Sequence, residues 1–195
     1  MYSADEYKQL LNSYGSYASW AVWDYEREAN TDVIESSLKD LNSRYVLLGL
    51  NVSRSLTNIP WINFHGGKHD RKLKYACNDT ELRGSYITDL FKDTPEVTAS
   101  KLQQKLTDEK IAENVTCFIE EMRSVKLCDD SKFILFGQIA SKYYIKYFKQ
   151  HFNNSFIIVR HYSDYSKSDQ AWVAEFWQSL GVRGEYSTII GNYKR

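Results

Sequence analysis

Tyr45-Val46-Leu47-Leu48-Gly49-Leu50-Asn51 is the stretch whose reading decides the fold of this chain. The run is short and apolar, and it closes on a glycine and a polar residue. Such a run suits a strand buried on both faces, as in a parallel sheet under helices. In open sheets of that kind, ligands bind beyond the carboxyl ends of the strands. Gly49 and Asn51 stand at that end, so other polar or aromatic residues reaching the same edge would share a site with them. The plainer alternative is that Asn51 only turns the chain.

Upstream, Tyr7, Leu10, Leu11 and Tyr14 recur at helical spacing, with Ser3 as an N-cap before Glu6 and Gly15 as the stop. The aromatic segment 16–28 reads as a packed connection or a short helix. Thr31 to Leu41 reads as a second helix, capped by Thr31. Downstream, Ser85 to Phe91 is a second strand rich in β-branched and aromatic residues. A long helix is expected from Pro95 and Thr98 to about Lys126. Lys132 to Gly137 is a third strand, running into an aromatic helix through His151. Ser155 to His161 is a fourth strand. A last helix is capped by Ser168 or Asp169 and stopped by Gly181. The tail from Val182 to Arg195 is an edge strand or mobile. Strands alternating with helices give an α/β fold: a three-layer α/β/α sandwich around a central four-stranded parallel sheet. Residues 1–195 form a single domain of this kind. That sheet delivers Asn51, Asp89, Gly137 and His161 to one edge.

Composition bounds the function. Charged residues make up 26% of the chain and hydrophobic residues 43%, with zero formal net charge. This is the balance of a soluble globular protein, and it argues against a broad electrostatic grip on nucleic acid. A local grip stays open. Between residues 51 and 84, Lys68, Arg71, Lys72 and Lys74 stand against a single Asp70, near Trp61 and Phe64. This cluster either touches a phosphate backbone or is a solvated loop. The three cysteines, Cys77, Cys117 and Cys128, lack metal-type spacing and read as reduced thiols of a cytoplasmic protein. With no signal peptide, the sequons at Asn51, Asn78, Asn114 and Asn153 carry no glycosylation message. No apolar run approaches the ~20 residues of a membrane span.

Several chemistries are missing. There is no phosphate-cradling Gly-x-x-x-x-Gly-Lys, no Gly-x-Gly-x-x-Gly and no Gly-x-Ser-x-Gly elbow. His65 and His69 have ligand-like spacing with Cys77 nearby, but Gly66 and Gly67 argue against a helix that would aim both at one ion. No metal and no cofactor are expected.

The remaining residues resemble the uracil-DNA glycosylase superfamily. Gly49-Leu50-Asn51 after an apolar strand is similar to its first motif, which reads Gly-x-Asp-Pro or Gly-x-Asn-Pro. Phe64, in Asn63-Phe64-His65-Gly66, falls where that family carries the aromatic that stacks on a flipped base. Tyr86-Ile87-Thr88-Asp89 matches a Tyr-Ile-Thr-Asn strand whose last residue reads the base edge. His161-Tyr162-Ser163-Asp164 stands where the family has His-Pro-Ser-Pro. The resemblance spans roughly residues 45–180. It implies a uracil-DNA glycosylase-like fold and a pocket in which Phe64, Asp89 and Ser163 hold a base. It also implies catalytic roles for His161, as donor to a base carbonyl that gains charge, and for Asn51, which orients a water but cannot deprotonate it. DNA, or a free nucleobase or nucleoside, is the implied partner. Cleavage of an N-glycosidic bond and non-catalytic binding of a base, nucleotide or protein are both compatible with these residues.

Val52 and Tyr162 replace the family's two prolines, so both loops lose a fixed φ. Three cysteines cannot supply a four-cysteine iron–sulfur cluster. Asp89 replaces an asparagine. An amide offers a donor and an acceptor, an ionised carboxylate acceptors alone. Asp89 therefore favours a base bearing N–H donors, or stays protonated through burial. Alternatively it pairs with Arg83 or Arg160 as ordinary strand-end structure.

Overall fold

The computed structural model describes residues 2–27, 29–52, 58–92, 94–96 and 98–187. Its centre is a sheet of five strands: β1 (Ser19–Trp20), β2 (Asn42–Asn51), β3 (Ser85–Phe91), β4 (Lys132–Phe136) and β5 (Ser155–Val159). Their order is β1-β3-β2-β4-β5. Strands β2 to β5 are mutually parallel, and β1 pairs antiparallel with β3. The four-stranded expectation therefore falls one strand short. β1 is only two residues long, too short to show any alternation, and it is held by Ser19 opposite Ile87 and Trp20 opposite Tyr86.

Helices cover both faces. One core packs Val46, Leu48, Tyr86 and Phe133 against Tyr7 and Leu10 of α1 (Ala4–Tyr14) and Phe118 and Met122 of α5 (Asp108–Ser124), with α2 (Asp32–Glu35) beside it. The opposite core packs Leu47, Ile87 and Ile134 against α3 (Asp70–Cys77) and Trp172, Val173 and Phe176 of α7 (Asp169–Leu180). Leu47 and Leu48 are both fully buried, as expected of a strand covered on each side.

Local signals explain where the helices start and stop. Ser3 accepts from Glu6 N while Glu6 reaches back to Ser3 N, a complete capping box. Ser168 caps α7, and Gly181, with φ of 70°, ends it. Thr31 makes no side-chain cap, and the helix expected over 31–41 is only Asp32–Glu35. The long helix expected to run to Lys126 is two, α4 (Ala99–Lys105) and α5, because the Thr107 side chain accepts from Lys110 N and starts a new helix. The aromatic helix is α6 (Gly137–Tyr143) followed by a π-turn at Tyr144–Phe148. No strand occurs in 182–187, and 188–195 lie outside the described residues. Among the described residues, no helix is long and apolar enough to cross a membrane.

The chain passes from β2 to β3 on one side, then crosses to β4 on the other side of β2. The direction of winding thus reverses between β2 and β4. At such a reversal the loops after the two strands diverge and leave a crevice at their carboxyl ends.

Candidate functional site

A cavity of about 760 Å³ opens at that crevice. It is within the ~300–1,000 Å³ range of small-molecule sites. Gly49, Asn51, Phe64, Asp89, His161 and Ser163 all line it, together with Asn63, Gly137 and Tyr162. Side chains more than a hundred positions apart in the sequence thus share one hollow.

Gly49 and Asp89 face each other across the β2–β3 ladder. A Cβ at position 49 would lie 2.0 Å from Asp89 Oδ1 and 3.7 Å from Phe64 Cε1, so the missing side chain makes room for the carboxyl group. Asp89 is 4% exposed, and its Oδ2 accepts from Asn63 Nδ2 at 2.9 Å. Neither arginine raised as a partner is in place. Arg83 pairs with Asp40, and Arg160 with Asp164 and Glu175. Burial pushes the Asp89 carboxyl up to about 7, against the opposing pull of Asn63 and Lys92. In the unfolded chain the same group titrates near 4. Its favourable contribution to stability is therefore complete below pH 4 and lost as pH rises through about 7. Asp89→Asn removes the ionisable group. It is expected to raise stability by up to about 4 kcal/mol above pH 7, at ~1.4 kcal/mol per pKa unit, and by little below pH 4. Urea unfolding of both proteins across that pH range checks this, and an equal effect at both ends would refute it.

The hydrogen-bond pattern fixes the His161 ring. Nδ1 accepts from Ser163 N at 3.1 Å and lies 2.8 Å from Ser163 Oγ. A neutral imidazole with Nδ1 as acceptor carries its proton on Nε2. Burial, and then His69, lower the His161 pKa, which keeps the ring neutral at pH 7. His161 thus offers the cavity an uncharged N–H donor. The ring stacks on Tyr162 at 4.6 Å, and Tyr162 meets Phe136 and Phe64 edge-on. The loop contains no proline but is braced otherwise. Arg160 bonds Asp164 at 2.8 Å, and Asp164 accepts from Ser166 N. Gly137, with φ of 84°, passes so close that a Cβ there would be 3.3 Å from His161 Cβ.

Phe64 sits at φ of 66°, a region costly for a bulky residue. Trp23 Nε1 donates to its carbonyl at 3.2 Å and helps hold it there. Such strain persists where the surroundings over-determine it, commonly at binding sites. Asn51 has a mixed position. Its Nδ2 lies among the carbonyls of Val52, Thr94 and Glu96 at 2.9–3.1 Å, tying down residues 94–96. The turn-forming alternative is thus part of its role, and the carbonyl oxygen is what it can present to a water. Val52 N donates to Phe91 O at 3.2 Å, a bond that a proline at this position would lack.

The four residues of the basic cluster have different surroundings. Lys68 lines the cavity, its ammonium 5.5 Å from the centre of the Tyr165 ring. Arg71 pairs with Asp169. Lys72 is buried and donates to the carbonyls of Asp164 and Lys167 at 2.8 and 3.2 Å. Lys74 is buried as well. The segment that carries them, expected as a connection, contains α3. His65 is 1% exposed and stacks on Trp23, away from His69, which meets Tyr165. Among the described residues no cluster of three or more His, Cys, Asp or Glu could hold a metal ion.

Two contributors escaped the sequence reading. Asn63 looked like a loop residue, yet it orients Asp89. Below the site, Lys92 pairs with Glu121 at 2.8 Å and Tyr86 donates to the same carboxylate at 2.9 Å, all three nearly or fully buried. A Lys and a Glu 29 positions apart on different elements carry no local signal that they meet. Set against known proteins, the chain matches no family model, no curated protein and no solved structure.

Proposed function

We propose that this cavity binds a planar nucleobase, and that the chain is a divergent relative of the uracil-DNA glycosylase superfamily that hydrolyses the N-glycosidic bond of a damaged or modified base. One observation carries the reading: an aromatic ring, an edge-reading carboxyl and a neutral imidazole N–H line a single cavity at the sheet's winding reversal. The base stacks on Phe64 and presents its edge to Asp89. When the bond to the sugar breaks, electrons move onto the base. The His161 Nε2–H, already aimed and uncharged, stabilises the charge that develops on a base carbonyl, and Ser163 holds the ring in that orientation. Asn51 accepts a hydrogen bond from the attacking water through its carbonyl oxygen but takes no proton; as the water bonds to the sugar carbon its proton passes to the departing base anion or to solvent, so turnover is slow.

A non-catalytic base-binding relative is the second reading. It is favoured by the ties on Asn51 and by the engagement of Arg71 with Asp169 and of Lys72 with backbone carbonyls. Cleavage assays on single- and double-stranded oligonucleotides carrying damaged bases separate the two. The expected result is slow release of a base, reduced about 100-fold or more by His161→Ala, the scale of losing an oxyanion donor. Cleavage unchanged in both Asn51→Ala and His161→Ala would overturn the assignment. Binding without cleavage would favour the second reading.

A further inference from the structure

We infer that Asp89, clamped by Asn63 so that one carboxyl oxygen faces the cavity, selects bases by its own protonation state. The acid form takes a base with a keto edge, such as uracil or hypoxanthine. The carboxylate takes one with an exocyclic amino group, such as cytosine. This rests on the reading of the cavity as a base site.

The clamp carries the inference. Asn63 Nδ2 donates one hydrogen to Tyr17 O at 2.7 Å and the other to Asp89 Oδ2 at 2.9 Å. Both amide hydrogens are used, so the group cannot turn over without losing two bonds. Oδ2 is the better acceptor for the Asn63 hydrogen when it is the carbonyl oxygen, so the acid's proton is favoured on Oδ1. Oδ1 occupies the space left by Gly49, beside the Phe64 ring. A base stacked on Phe64 therefore meets one atom that is an O–H donor when protonated and an acceptor when not. A donor matches a carbonyl, and an acceptor matches an amino group.

The charged surroundings leave the switch within reach of ordinary pH. Just past the end of β3, the Lys92 ammonium reaches the Asp89 carbonyl, but it is paired with Glu121 from α5. Asp70, from α3, adds negative charge, as does Glu121. His161, His69, Lys68, Glu96, Tyr162 and Tyr165 are the other titratable residues that line the cavity, and burial lowers the pKa of both histidines. The carboxyl itself is pushed up to about 7 by burial.

Calorimetric titration of the intact protein with free uracil and free cytosine, at about pH 5.5 and about pH 8.5, tests this. For a group titrating near 7, the protonated fraction changes about 30-fold over that span. Uracil is expected to bind about 30-fold more tightly at the lower pH and cytosine correspondingly more tightly at the higher. In Asp89→Asn, the side-chain carbonyl takes the Asn63 hydrogen and the amide donor faces the cavity permanently. Uracil binding should then be strong and flat with pH, and cytosine weak at both values. Base binding by the parent protein with no pH dependence would overturn the switch while leaving the base site standing. No binding of either base at either pH would overturn the base site itself.

Discussion

Gly49→Ala is expected to lower base affinity by about 100-fold while leaving the sheet assembled. The added methyl would lie 2.0 Å from Asp89 Oδ1, a separation that no real pair of such atoms sustains. Position 49 has no unusual backbone requirement, so the cost is one of space alone. β2 is the central strand, hydrogen-bonded on both sides, and cannot step back. The carboxyl group must move instead, which breaks the Asn63 bond and pushes the reading atom across the Phe64 ring. A displacement of about 1 Å in a positioning group costs on the order of 100-fold. Overpacking of this kind costs stability about 1–3 kcal/mol. Calorimetry with uracil and thermal unfolding of the same preparation check both halves. Affinity within a few-fold of the parent would show that Asp89 does not read the ligand.

A larger loss of stability is expected from Glu121→Ala. Glu121 is fully buried and Lys92 is 7% exposed on its side chain. Together with Tyr86 they join α5 to β3 beneath the site. Truncating the carboxylate strands the Lys92 ammonium in the core, where it faces the rings of Tyr17 and Phe118 at 5.5 and 5.0 Å. Breaking one side of a buried pair costs about 3–5 kcal/mol. For a chain of this length, that is a fall in melting temperature of about 10 °C. Replacing both partners with apolar residues, Lys92→Met with Glu121→Leu, should recover most of the loss, because no charge is then left alone. Additive losses in the double variant would show that the two residues do not act as a pair.

How much of this was legible in the sequence follows from the range of each signal. The parallel strands were readable because buried strands are local and continuous: Val46 to Leu48 and Phe133 to Phe136 are each fully apolar. Capping at Ser3, Ser168 and Gly181 was readable for the same reason. β1 was not, because two residues form a strand only through what they pair with. The helix expected after Thr31 is cut short because the helical spacing of Val33, Ile34, Leu38 and Leu41 does not by itself hold a helix, and the chain turns after Glu35. At the site, residues at strand ends were legible once the strands were, since topology carries Asn51, Asp89 and His161 to one edge. The fate of the basic cluster was not. Charge in a sequence suggests exposure, and Lys72 is instead folded under, its ammonium capping backbone carbonyls. Asn63 and the Lys92–Glu121 pair act through contacts made only in the folded chain.

The most direct measurement is histidine-selective ¹⁵N NMR of the intact protein as uracil is added near pH 7. His161 is expected to be the neutral Nε2–H form, set by Ser163, and its ring resonances should move with saturating uracil. His65, buried against Trp23, should stay where it is and serve as the internal control. A His161 ring protonated on Nδ1, or one that does not respond to a base that binds, would contradict a site in which this imidazole faces the bound base.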